Sequence, residues 1–123
     1  MAVGQVTTVS IPSPSQWNMY ASIGGRPASL GTLMIHLVKN NRISGAVNFR
    51  GTFIPIQGYW NETTKEIRFE SPYATFVGTL TIVDEPQINM RHYVLRGSVM
   101  MKPPSIRAGE YGTWVATTDI PLS

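Results

Sequence analysis

Apolar side chains recur at every second position along most of this chain. Leu33, Ile35 and Leu37 alternate with polar neighbours, and Asn40-Asn41 then predicts a tight turn. Ile43, Gly45, Val47 and Phe49 continue the alternation. After Gly51-Thr52 the phase changes to Ile54, Ile56, Gly58 and Trp60. A turn over 61–64 precedes "KEIRFES", where Ile67 and Phe69 oppose Glu66, Arg68 and Glu70. That is the pattern of a strand with one buried and one wet face. Phe76, Gly78, Leu80 and Ile82 follow, then the predicted loop "DEPQINM". Tyr93, Leu95, Gly97, Val99 and Met101 come next, then the Pro-rich link "KPPSIRAGE" and a last strand with Trp114 and Ala116. Upstream, Trp17, Met19 and Ala21 predict a first strand, and "IGGRPAS" predicts a loop that could act as a lid. Val6 to Ile11 predicts an edge strand or a plug.

No segment carries a helical period over ten residues, and β-branched residues dominate between the Gly and Pro punctuation. The reading is all-β: about eight strands in a sequential antiparallel meander. A flat meander would leave two edges and an apolar face bare, and closure into an up-and-down barrel removes both. The expected organisation is one domain over 1–123, with an arm at 1–14, a barrel at 15–118 and a tail at 119–123.

Six strands carry a glycine two places before an apolar residue: Gly31, Gly45, Gly58, Gly78, Gly97 and Gly112. Each shares the parity of the inward residues, so all six are expected to face the interior. Inward glycines permit strong coiling of the strand, and they can also leave interior space.

One-glycine strands such as "LGTL", "SGAV" and "YGTW" in an eight-stranded meander resemble the calycin barrels, above all the avidin and streptavidin group and more loosely the lipocalins. The resemblance spans residues 15–118. It implies an up-and-down barrel with a ligand site at one open mouth. It carries no avidin biotin contacts onto particular residues, and the lipocalin Gly-x-Trp lies near the first strand, whereas "GTW" here is in the last.

Composition narrows this picture modestly. Of 123 residues, 42% are apolar and 14% charged, which excludes a disordered tail. The net charge of +3 is scattered from Arg26 to Arg107 without a run, so nucleic acid is not an expected partner. The absence of cysteine excludes disulfides and thiolate chemistry and fits a reducing compartment. The start of the chain has no signal-peptide pattern and no segment has the length of a membrane helix, so a cytoplasmic location without a membrane partner is expected.

Catalytic patterns are sparse. His36 and His92 lack partners at metal spacing and are expected at the surface. Glu66 and Glu70 flank Arg68, which predicts a cross-strand charge ladder rather than an acid–base pair. No cofactor motif occurs. The interior aromatics are the remaining signal. Trp17, Phe49, Trp60, Phe76, Tyr93 and Trp114 take the inward phase and form the candidate ligand site, with Trp17 expected beside Trp114 where the last strand closes on the first. Arg50, Arg96 and Tyr20 are candidate polar handles. The expectation is a non-enzymatic barrel holding a small apolar or aromatic ligand at one mouth. The alternative is a filled structural barrel acting through its outer face. Phe53, Pro55 and Tyr59 form an outward apolar stripe, with Val77, Val83, Val94 and Met100 also outward, which suggests a homo-oligomer.

Overall fold

A computed structural model describes residues 10–49 and 51–122. Eight strands close into one barrel: β1 (Ser15–Ile23), β2 (Ser29–Lys39), β3 (Arg42–Asn48), β4 (Phe53–Asn61), β5 (Glu66–Glu70), β6 (Ala74–Glu85), β7 (Met90–Met101) and β8 (Tyr111–Pro121). Each pairs antiparallel with its neighbour in sequence, and β1 pairs with β8 to close the ring. The fold is the predicted all-β up-and-down barrel, compatible with a calycin-like architecture.

Local chemistry explains the strand limits. Asn40 and Asn41 both have positive φ, 54° and 63°, as a two-residue type I′ hairpin turn requires. At the β4–β5 turn the Asn61 side chain accepts hydrogen bonds from the backbone N–H groups of Thr63 and Thr64, at 3.0 and 3.1 Å. The predicted loop at 84–90 is shorter than expected. Strands β6 and β7 pair as far as Glu85 and Met90, leaving a three-residue 3-10 turn at Pro86–Ile88. A two-pronged Arg91–Asp84 pair, at 2.6 and 2.9 Å, holds the extension together. Strand β8 likewise runs through most of the expected tail, pairing as far as Pro121 with Met90.

The inward phase holds with one break. Leu33 and Ile35 are fully buried, but the β2–β3 register shifts between Ile35 and Leu37. Beyond that bulge Leu37 is 54% exposed, and Val38 packs against the core instead. The expected inward Leu37 is therefore an outward residue, because one extra residue in a ladder reverses every later side chain. His36 at the bulge is exposed, as expected.

Gly78 and Gly97 pair directly, and Trp114 pairs with Gly97 on the next strand. A Cβ at Gly97 would lie 1.8 Å from the Val77 carbonyl oxygen, and one at Gly78 would lie 2.8 Å from the Trp114 ring. These two glycines make a trough in the wall. The Trp114 indole reaches over it, and its Nε1–H donates to the backbone carbonyls of Val77 and Ser98, both at 3.0 Å. The glycines thus serve close backbone approach, and the space that they leave is occupied.

The expected charge ladder along β5 does not form. Glu66 faces Asn61 and Thr79, Arg68 faces Tyr59 and Val77, and Glu70 faces Gln57 and Thr75. The neighbouring strands present uncharged residues at this register, and Glu70 pairs instead with Lys102, at 3.7 Å.

Candidate functional site

Connections in a meander alternate between the two ends of the barrel. The β2–β3, β4–β5 and β6–β7 turns therefore share one end with the start of β1 and the end of β8. The β1–β2, β3–β4, β5–β6 and β7–β8 loops share the other.

The first end is closed. Ile11, from the arm that precedes β1, is 4% exposed and belongs to the core, so this part of the arm is a plug. Residues 6–9 of the expected edge strand lie outside the described residues. Trp17 meets Tyr93 edge-on at 6.2 Å and donates its indole N–H to Ser15 Oγ at 2.8 Å. That hydroxyl in turn donates to the Pro12 carbonyl at 2.7 Å. Trp60 donates to Glu62 Oε1 at 3.1 Å, and Glu62 also accepts from Ser10 and Lys65. Desolvation pushes the Glu62 carboxyl up, but the hydrogen bonds from Lys65, Ser10 and Trp60 outweigh it and hold the group below its ordinary range.

On the outer wall at this same end, His92 bridges three strands. Its Nδ1 lies 2.8 Å from Asp119 on β8, and its Nε2 lies 2.5 Å from Glu85 on β6. These two hydrogen-bonded carboxylates raise the His92 pKa. Parity alone gave His92 no partner. The signal available was the long β6–β7 hairpin, which carries Glu85 past His92.

The second end is open. A cavity of about 640 Å3 lies between its four loops. Phe49, Ile54, Phe76 and Met101 line it, with Ile23 and Val47. Below, Phe76 stacks on Phe69 at 4.8 Å, and both meet Trp114 edge-on, at 5.8 and 5.4 Å. Phe76 is thus shared between the cup and the packed interior.

The loops that shape the cup are internally tied. Ser71 Oγ accepts from the backbone N–H groups of Tyr73 and Ala74 at 3.1 Å. The β7–β8 loop is bound back on itself, with Gly109 N–H donating to the Met101 carbonyl at 2.8 Å and Glu110 N–H to the Arg107 carbonyl at 3.0 Å. Arg26 joins the β1–β2 loop to this loop by pairing with Glu110. The "IGGRPAS" segment is thereby fastened at the rim.

Of the six candidate ligand residues, Phe49 and Phe76 line this cup. Trp17, Trp60, Tyr93 and Trp114 do not; they are buried in the closed end and the packed middle. All three indole N–H groups already have partners inside the protein. Trp17 is not beside Trp114, contrary to expectation. At the seam Ala21 faces Trp114, which puts Trp17 four residues further along β1, about 13 Å at ~3.3 Å per residue. The stagger of strands in a closed barrel sets that offset, and parity is blind to it. Tyr20 and Arg96 are on the outer face, and Arg50 lies outside the described residues. Among the described residues, the charged ones that line the cup are Arg26 and Arg107, both in the long loops.

Two further grooves, of about 690 and 710 Å3, run over the outer wall and share Tyr59 and Arg68. Polar and charged side chains such as Glu66, Gln57 and Arg42 line much of them, and they are surface troughs rather than an enclosure for an apolar molecule. Comparison with family models, with curated proteins and with solved structures finds no match to this chain.

Proposed function

We propose that this protein is a non-enzymatic binding barrel that holds a small apolar or aromatic molecule in the cup at its open end. The observation that carries the reading is the cup itself: about 640 Å3 bounded by Phe49, Ile54, Phe76 and Met101, at the end where the loops are longest. A pocket of a few hundred Å3 with an apolar lining and a few polar groups is the usual form of a small-molecule site. Its described lining residues include hydroxyls and arginines but neither a histidine nor a carboxylate, which favours retention of a ligand over acid–base chemistry. The architectural resemblance to avidin-like and lipocalin-like barrels supports the same reading through shape alone.

The test is titration with a neutral aromatic probe, N-phenyl-1-naphthylamine, whose emission rises in apolar surroundings. Saturable binding is expected, together with a rise in Tm. Thr52 is exposed on the rim, so Thr52→Trp should obstruct the cup and abolish binding while leaving Tm unchanged. Absence of saturable binding, or binding indifferent to Thr52→Trp, would remove the reading.

A second reading rests on the outer wall. Phe53 and Tyr59 are 56% and 58% exposed, with Pro55 also exposed between them. An apolar stripe of this kind suits self-association through β4. Sedimentation at tens of micromolar should then show a dimer or larger species that Phe53→Ser converts to monomer, and a strict monomer would exclude it.

A further inference from the structure

The cup is apolar in its walls but cationic at its lip. Among the described residues, the two charged side chains that line it are both arginines. They are not equivalent. Arg26 already pairs with Glu110 through one terminal nitrogen, yet its Nε is buried and has no hydrogen-bond partner among the described residues. Arg107 is half-buried and has no ion-pair partner among the described residues. Lys102 and Glu70, at the same end, are 3.7 Å apart and compensate each other. Among the described residues, two guanidinium groups against the Glu110 carboxylate leave one positive charge unmatched beside an apolar cavity. A buried donor without a partner costs free energy unless something completes it, and a guanidinium fork suits an oxyanion in particular.

We propose that the cup selects an amphipathic monoanion, an apolar or aromatic body carrying one carboxylate or sulfonate. This rests on the binding reading above and adds the charge and the orientation of the ligand. The apolar body lies against Phe49 and Phe76. The anionic group sits at the lip, held first by Arg107, with the Arg26 guanidinium beside it. Glu110 tempers the site by occupying part of Arg26, so a single negative charge restores balance at the rim.

The experiment compares two probes with the same aromatic body: 8-anilinonaphthalene-1-sulfonate, which is anionic, and N-phenyl-1-naphthylamine, which is neutral. The sulfonate should bind about tenfold more tightly, the range expected for a charge-assisted contact. Added salt should narrow that gap. Arg107→Gln should bring the ratio of sulfonate to neutral-probe affinity close to one, whereas Arg107→Lys should retain much of the preference. Glu110→Gln should strengthen the sulfonate a few-fold by releasing Arg26. Arg107 is in a loop, and each variant is compared only after its Tm and near-UV dichroism match the parent. Equal affinity for the two probes, or a preference that survives Arg107→Gln, overturns the proposal and leaves the apolar cup standing. Failure of both probes to bind, or binding of both untouched by Thr52→Trp, overturns the cup as a site and this proposal with it.

Discussion

At one end of the barrel Ile11, Trp17 and Tyr93 fill the opening; at the other, Phe49 and Phe76 stand around a cup. The strands are the same eight, so the difference lies in their connections. The closed end is joined by short turns, Asn40-Asn41 and Pro86–Ile88 among them, and capped by the arm. Its polar groups bind one another: Asp84 with Arg91, Glu62 with Trp60 and Lys65, and His92 with two carboxylates. At the open end the connections at 24–28 and 102–110 are longer and stand up as a rim. There, among the described residues, one arginine lacks an ion pair and another lacks a partner for its Nε. Completed polar groups stand at the closed end, and the incomplete ones stand at the mouth where we propose that the ligand enters.

The contrast can be broken most severely at the layer between the ends. Gly97→Val would drive Cβ into the Val77 carbonyl, and the loss should exceed the ~3 kcal/mol of ordinary overpacking. Thermal melting should show a collapsed Tm or no cooperative transition, and a parental Tm would mean that the trough under Trp114 is absent. Trp114→Phe keeps an aromatic ring but loses the two carbonyl contacts and part of the volume, and should cost about 2–3 kcal/mol in urea unfolding. The same variant should leave probe affinity in the cup nearly unchanged, since the indole is not part of its wall.

At the closed end, Ile11→Ala should cost about 2 kcal/mol, the lower range for a buried Ile→Ala change, because an arm can settle into the gap. A neutral effect would show that the arm does not seal the barrel. The pH response belongs to this end as well. Asp119 and Glu85 hold His92 above its ordinary value of 6.5, so the folded state favours imidazolium. That stabilisation is complete below about pH 6.5 and is lost as pH rises through the higher folded value. The Arg91 hydrogen bonds lower the pKa of Asp84, so its stabilisation is present above the ordinary value of 3.8 and is lost only as pH falls through a lower one. The Tm of the parent should therefore decline above pH 6.5 more than that of His92→Gln, and parallel curves would dismiss the His92 bridge as a contributor. The smallest stability effect is expected at the open end, where Thr52→Trp should change ligand binding and not Tm.

Much of the architecture was legible because strand parity is a local property. The alternation at Ile67 and Phe69 and the paired asparagines at 40 and 41 need only near neighbours to be interpreted. What parity could not provide was anything set by displacement along a strand. A single extra residue near His36 reversed Leu37 and Val38, and nothing in "MIHLVK" announces where a ladder slips. The offset between β1 and β8 comes from the stagger of the whole barrel, and it separated Trp17 from Trp114. Phe49 and Phe76 were found by phase, but the same phase also marked four residues that fill the barrel, since facing inward does not distinguish core from cavity. Arg26 and Arg107 were missed because loops carry no period. Counting the connections, odd ones at one end and even ones at the other, would have placed both at a common mouth.

The seam between β1 and β8 has a further consequence, for the order of assembly. Every other pairing joins strands that follow one another, so each can zip from its own turn at a small entropic cost. Only the seam joins Asn18 to Thr117 and Ile23 to Gly112, across nearly the whole chain. A contact of such sequence separation forms late and limits the folding rate. The same pairing is then the natural first place for the native ring to reopen. Amide protons along β1 and β8 should exchange through a lower-energy opening than those of the β6–β7 hairpin, and equal protection would mean that the ring opens only as a whole.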